Sequence, residues 1–420
     1  METIAATSIF DVLPRTARTG PDGRLIVGGC ALTDLAAEFG TPALVFDEQG
    51  LCETAREYRE AFAARHPDTD VHFASKALPC APLLRILAEE GLGCDVASAG
   101  ELAIALAGGF DPAHVLLHGN AKSDRDVADA LAAGVGLVVI DGPDDVDRLE
   151  RLGADGQRVL VRVNPAVHGV THEAIDTGSA TSKFGVALEQ APALIDRVDA
   201  IAGLQLEGLH VHIGSQLLDL EGFGRAAAAI AALGDFSVYD LGGGLGISYR
   251  PGERAPSIAD YAEATVRALH EHLSPRARLI VEPGRSIAGR SGVTLYSVVT
   301  VKRGARTHVA VDGGMGDNLE PMMYGTRFAP AIVDRERPPE TCDLVGRHCE
   351  SGDVLAPGVR LATPAVDDLV VMPATGAYCY SLMNNYNGAR RPPVVLVRDG
   401  DARLAVRREE MSDLLARDML

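Results

Sequence analysis

Five apolar runs in the first half of this chain begin at residues 71, 93, 115, 137 and 159, a constant step of 22 residues. Each holds four to six β-favouring residues, then a turn, then a helix-patterned stretch. Three further runs bring the series to eight: 71–76, 93–98, 115–119, 137–141, 159–164, 206–214, 237–244 and 278–284. Parallel strands need a crossover between them, and eight strand–helix units in one stretch point to an α/β fold, a closed (β/α)8 TIM-type barrel. In that architecture the active face lies at the strand C-termini. This sequence places Lys76, Asp95, His118, Arg162, His212, the glycines 242–244 and Glu282 there.

After Arg285 the pattern changes. Residues 293–302, 308–312, 369–372 and 394–398 alternate or run as β-branched segments, joined by Pro- and Gly-rich connections with few helical intervals. A mostly antiparallel β domain is expected from them. Upstream, 8–13 and 24–27 read as short strands ahead of a helix over 32–39. The expected division is a barrel over 40–285 inserted in a β domain made of 1–39 together with 286–420.

Composition narrows the partners. The 39 basic and 58 acidic residues leave a net charge of −19 with no basic run, which argues against nucleic acid and anionic membranes. No apolar stretch approaches the roughly 20 residues of a membrane span. Residues 1–15 lack a basic segment followed by an apolar core, so no secretion signal is expected. Seven scattered cysteines with no CxxC pair suggest a reducing cytoplasm, with neither a disulfide framework nor a metal site.

Several residues carry chemistry, each with a plainer alternative. Lys76 closes an apolar strand, where desolvation would lower its pKa and fit it for a Schiff base; a lysine reaching from a strand end into water is the alternative. Asp240-Leu-Gly-Gly-Gly follows a strand and could offer N–H groups to a phosphate, or simply turn tightly. Glu282 could hold a pyridine nitrogen protonated, making the ring an electron sink. His212 could stack on a flat ring or be a core histidine. His348-Cys-Glu-Ser-Gly-Asp353 sets a thiol beside two carboxylates, although a structural cysteine is the commoner case. Tyr378 could offer a phenol to a phosphate or end a strand.

Their joint order resembles the diaminopimelate decarboxylase group of pyridoxal-phosphate (PLP) enzymes, which pair an alanine-racemase-like barrel with a β domain. The likeness runs from about residue 24 to the C-terminus. It rests on Phe73-Ala-Ser-Lys76-Ala, Cys94-Asp-Val-Ala-Ser98, Gly119-Asn-Ala-Lys122, Ser182-Lys-Phe-Gly185, His212-Ile-Gly-Ser-Gln216, Gly242-Gly-Gly244, Glu282-Pro-Gly-Arg285, Asp312-Gly-Gly314, Cys349-Glu-Ser-Gly-Asp353 and Thr375-Gly-Ala-Tyr378. The resemblance implies a PLP-dependent α-decarboxylase in which Lys76 holds the cofactor, His212 stacks on its ring and Glu282 meets its pyridine nitrogen. Asp95 and Arg162 would belong to the cofactor site. Ser215, Gly243, Gly244, Gly284, Arg285 and Tyr378 would hold the phosphate. It further implies a head-to-tail homodimer in which Cys349 of one subunit protonates the intermediate in the other. Arg285, Tyr324, Glu350 and Tyr378 would line the substrate's place. Glu282 weighs against racemisation, because the related alanine racemases set an arginine at that nitrogen. A non-catalytic PLP-binding homologue would be expected to lack Lys76 or the Cys349 block.

One position departs from the family. Diaminopimelate decarboxylases carry an arginine four residues before Tyr324, where it grips a substrate carboxylate; here Glu320 stands in its place. That change turns a charge-assisted contact into repulsion. The expected substrate is therefore an amino acid whose distal group is not a free carboxylate, such as an aminoacyl group tethered to a carrier protein. meso-Diaminopimelate, giving L-lysine, is the alternative.

Overall fold

The computed structural model describes residues 8–167 and 182–419 and divides the chain into two compact units. One comprises Thr54–Ile247 with Ala255–Ile287; the other comprises Met1–Glu53, Ser248–Arg254 and Ala288–Leu420.

The first unit is the expected barrel. Its strands are β1 (Thr69–Ala74), β2 (Gly93–Val96), β3 (Val115–Leu117), β4 (Leu137–Ile140), β5 (Gln157–Asn164), β6 (Leu204–His210), β7 (Val238–Asp240) and β8 (Arg278–Val281). Each pairs in parallel with the next, and β8 pairs with β1, so the ring has no open edge. A two-residue strand, Val186–Ala187, extends the C-terminal end of β5. Leu116, Leu137, Val139, Leu160, Val238 and Ile280, drawn from five strands, pack into one buried cluster. The outer helices form where apolar spacing and caps agree. Ala81–Glu89 buries Leu83, Leu84, Ile86 and Leu87. Ser98, Ser123 and Ser257 each cap a helix by accepting the N–H three residues on. Lys122 is sealed beside β4, where its ammonium donates to the carbonyls of Gly119 and Val139 and lies 2.7 Å from Asp145.

The second unit is built on a mixed, mostly antiparallel sheet. Its order is Val354–Ala362, Pro339–Val345, Thr307–Val311, Gly292–Arg303, Ala43–Asp47, Val394–Arg398, Asp401–Val406. Two neighbouring pairs are parallel: Thr307–Val311 with Pro339–Val345, and Ala43–Asp47 with Val394–Arg398. Leu13, Val27, Leu32, Val45, Val293, Leu295, Val371 and Val395 form its core.

Three expectations are corrected here. Residues 43–47, assigned to the barrel, are an inner strand of the second sheet, with all five residues buried. An unbroken apolar run demands cover on both faces, and either unit could have supplied it. Residues 248–254 also cluster with the second unit. The 8–13 segment is no strand: Ile9–Asp11 is a 3-10 turn closed by a capping box between Ser8 and Asp11. The helix Leu32–Phe39 and the strands Leu369–Met372 and Val394–Arg398 lie where the periodicity set them.

Candidate active site

The chemical residues of the barrel stand at the C-terminal ends of its strands. Lys76 sits in the 3-10 turn Ser75–Ala77 that follows β1, and Nζ donates to Asp95 Oδ2 at 2.9 Å. The lysine side chain is 48 % exposed and the carboxylate 3 %. An ion pair, rather than the apolar burial expected from sequence, is what meets this amine. Asp95 Oδ1 lies 3.8 Å from His118 Nε2 at the end of β3.

That imidazole bonds Glu282 Oε1, and His210 Nε2 reaches Glu282 Oε2 at 3.3 Å. The two histidine rings meet edge to face at 4.7 Å. Burial alone would raise the Glu282 carboxyl, but His118 and His210 hold it well below the usual range. An ionised Glu282 can only accept, so both imidazoles donate from Nε2. Burial drives His210 down to about 4, which leaves that ring neutral near pH 7. Contacts thus run unbroken from Lys76 through Asp95 and His118 to Glu282.

His212 lies two residues beyond the end of β6, and its Nδ1 accepts the Gly243 N–H at 3.2 Å. This bond fixes which nitrogen carries the proton. Burial, then the nearby charges of Lys76 and Arg162, hold the ring well below the usual histidine range and so neutral. Gly243 N–H, expected to serve a phosphate, therefore has a partner within the barrel. A Cβ on Gly243 would stand 2.0 Å from the Glu282 carbonyl, and Gly244 adopts φ +113°, so this turn excludes side chains. Ser215 Oγ accepts from Arg285 Nε and Nη2 at 3.4 and 3.5 Å. Gly284 packs close to Ala74 and Ala77. Arg162 belongs to a neighbouring group, with its guanidinium carbon 4.5 Å above the Phe184 ring and Nη1 3.7 Å from Asp141.

The second unit carries the remaining candidates. Cys349 is exposed, the only exposed thiol among seven free cysteines. Its N–H donates to Asn387 Oδ1 at 2.8 Å. Asp353 shapes the loop by accepting from the N–H groups of His348 and Met315. Glu350 is exposed on the same loop. Tyr378 holds a left-handed φ of 62°, and its carbonyl accepts from Leu382 N and Ser381 Oγ. Tyr324 ends the short helix Glu320–Tyr324, stopped by Gly325 in the left-handed region. Glu320 is fully buried and accepts from the hydroxyls of Tyr249 and Thr326 at 3.3 and 3.2 Å.

Comparison with known proteins decides the family. Residues 49–289 match the family model for the pyridoxal-dependent decarboxylase, pyridoxal binding domain. Over 412 residues the chain is 47 % identical to a diaminopimelate decarboxylase of Actinosynnema pretiosum subsp. auranticum, covering 94 % of this chain and 93 % of the relative. A second diaminopimelate decarboxylase, from Mycobacterium bovis, is 41 % identical over 437 residues, with 97 % of each covered. The chain belongs to the diaminopimelate decarboxylase family.

Among solved structures, the diaminopimelate decarboxylase from M. jannaschii in co-complex with L-lysine superimposes with a TM-score of 0.90 at 30 % identity, covering 97 % of this chain and 98 % of that one. As a member of this family the protein is a PLP-dependent decarboxylase. Its residues fit the cofactor: a reachable lysine amine, a deep ionised carboxylate, a neutral imidazole and a side-chain-free glycine turn all end strands of one barrel.

The sequence places His118 at a strand end and Asp240 at the head of the glycine run, assigns neither a partner, and does not single out His210. The signal was available for His118 and Asp240, which stand at the ends of β3 and β7. His210 ends β6 in the same way, but the sequence run over 206–214 extends past it and leaves it unmarked.

Proposed function

We propose that this enzyme removes the α-carboxylate of an amino acid whose distal group is not a free carboxylate. An aminoacyl group carried as a thioester on a carrier protein fits that description. The observation behind it is Glu320, a buried carboxylate where the family sets a guanidinium. Tyr249 and Thr326 donate to it from within its own unit. A substrate with a distal carboxylate therefore loses its cationic partner at that position.

The residues divide the work. Lys76 would hold the cofactor through its amine, with Asp95 as counter-ion for its ammonium. His212, neutral and oriented by Gly243, offers a flat face for stacking. When bound, PLP supplies the conjugated ring that accepts the electron pair of the breaking Cα–carboxylate bond. Glu282 stays ionised, held by His118 and His210, and would be the residue that meets the pyridine nitrogen. Ser215, Gly244, Gly284, Arg285 and Tyr378 would hold the phosphate. Once CO2 has left, Cys349 of a second copy in a head-to-tail homodimer passes its Sγ proton to Cα. No described helix is long and apolar enough to cross a membrane, and free thiols suit a cytoplasmic protein.

A second reading is meso-diaminopimelate decarboxylation to L-lysine, favoured by relatives of that name at 41–47 % identity. The test is CO2 release by PLP-loaded enzyme from meso-diaminopimelate, lysine, ornithine and carrier-bound aminoacyl thioesters. Slow release from meso-diaminopimelate with faster release from one of the others is expected. Brisk release from meso-diaminopimelate alone selects the second reading.

A further inference from the structure

Four buried titratable side chains, His118, His210, Asp240 and Glu282, bring ligand-type atoms within 4.8 Å of one another. Two carboxyls in one buried cluster do not both ionise unless each is compensated. Glu282 has its compensation in the two imidazoles. Asp240 has none. Its Oδ1 accepts the Gly242 N–H at 2.8 Å, while the buried Oδ2 meets no hydrogen-bond donor among the described residues. A bare carboxylate oxygen there would be costly, whereas a carboxylic acid brings a proton of its own and needs an acceptor. The ionised Glu282 supplies one.

Burial first, and the Glu282 charge second, push the Asp240 carboxyl well above the usual range. Asp95 adds to that push. Arg162 is the cation that Asp240 influences in turn, and Tyr261 is the phenol. The four groups are also the kind that bind a divalent ion. Here, however, both oxygens of Glu282 and one nitrogen of each imidazole are already engaged with one another.

We propose that Asp240 is a positioning residue that stays a neutral carboxylic acid and donates its Oδ2 proton toward Glu282. The cluster then holds a single carboxylate charge, reserved for the cofactor's ring nitrogen. Its use in catalysis rests on the role given to Glu282 above; its protonation does not. Ionised Asp240 would compete with Glu282 for the histidine protons, and neutral Asp240 adds a third donor to the same anion.

The test compares wild type, D240N and D240A. In D240N an amide N–H replaces the acid O–H; D240A removes the donor. At neutral pH the infrared difference between wild-type and D240N proteins, without cofactor, should show the carbonyl stretch of a protonated carboxyl lost in the variant. PLP binding to D240N should stay within about threefold of wild type, and D240A should weaken it by about tenfold, as for one charge-assisted hydrogen bond. Absence of the infrared band, or D240N binding as weakly as D240A, overturns the proposal. The infrared readout needs neither D240A nor bound PLP. An inactive enzyme that shows the band therefore indicts the role of Glu282 and leaves Asp240 neutral.

Discussion

His118 Nε2 bonds Glu282 Oε1, joining the ends of β3 and β8 across 164 residues of sequence. Asp95, the partner of Lys76, is the next acid along from the same imidazole. The lysine and the deep carboxylate are thus tied into one network.

Glu282→Gln should leave PLP bound while lowering decarboxylation by about 100-fold or more, the scale of removing one preorganised electrostatic partner. Steady-state CO2 release and the absorbance of the bound cofactor measure the two effects separately. A rate near wild type would remove Glu282 from the chemistry.

Cys349→Ala should slow turnover by about 100-fold, as for loss of a general acid, and should scramble deuterium placement at Cα when run in D2O. Mixing the slowed Cys349→Ala with Lys76→Ala should recover activity if each site draws on two copies. Failure of the mixture, with both variants folded and exchanging subunits, argues for a site within one copy.

Glu320→Arg should raise kcat/KM for meso-diaminopimelate by about tenfold or more if, as the resemblance implies, a cation at this position grips the distal carboxylate. Thermal melting checks that the buried position accepts the change. An unchanged or lower value in a folded variant would mean that Glu320 does not face the substrate's distal group.

Asp317 gives a pH prediction. Burial raises its carboxyl from 3.8 to about 7, and Tyr296 and Gly314 hold its two oxygens. Between those values the folded chain binds a proton that the unfolded chain releases. Stability contributed by this group is therefore full below pH 4 and falls as pH rises toward 7, by up to about 1.4 kcal/mol per unit. Asp317→Asn should flatten that slope in urea midpoints measured from pH 5 to pH 8; an unaltered slope would place the titration elsewhere.

Much of the barrel was legible because a parallel strand buried on both faces must be an apolar run, and the crossover helix fixes its spacing. Lys76, Asp95, Arg162, His212 and Glu282 were legible as polar residues closing such runs. The strand Ala43–Asp47 was misassigned because its burial pattern is the same in either sheet. The strands Pro339–Val345 and Val354–Ala362 went unnoticed, since proline, glycine and register shifts break their alternation. The 3-10 turn at Ile9–Asp11 rests on a side-chain cap, which strand propensity does not weigh.

By itself the sequence determined the period of the barrel and the residues at its active face, and the resemblance of its motifs added the family and the expectation that Glu320 stands where the family carries an arginine. Periodicity and residue type are local properties, and the barrel and its strand-end residues need nothing else. The tertiary structure alone decided that His118 and His210 share the two oxygens of Glu282, that His212 takes the Gly243 N–H, and that Asp240 keeps a buried oxygen with no donor among the described residues. Those pairings join strands far apart in the chain, and charge in a buried cluster is set by which groups the closed barrel forces together.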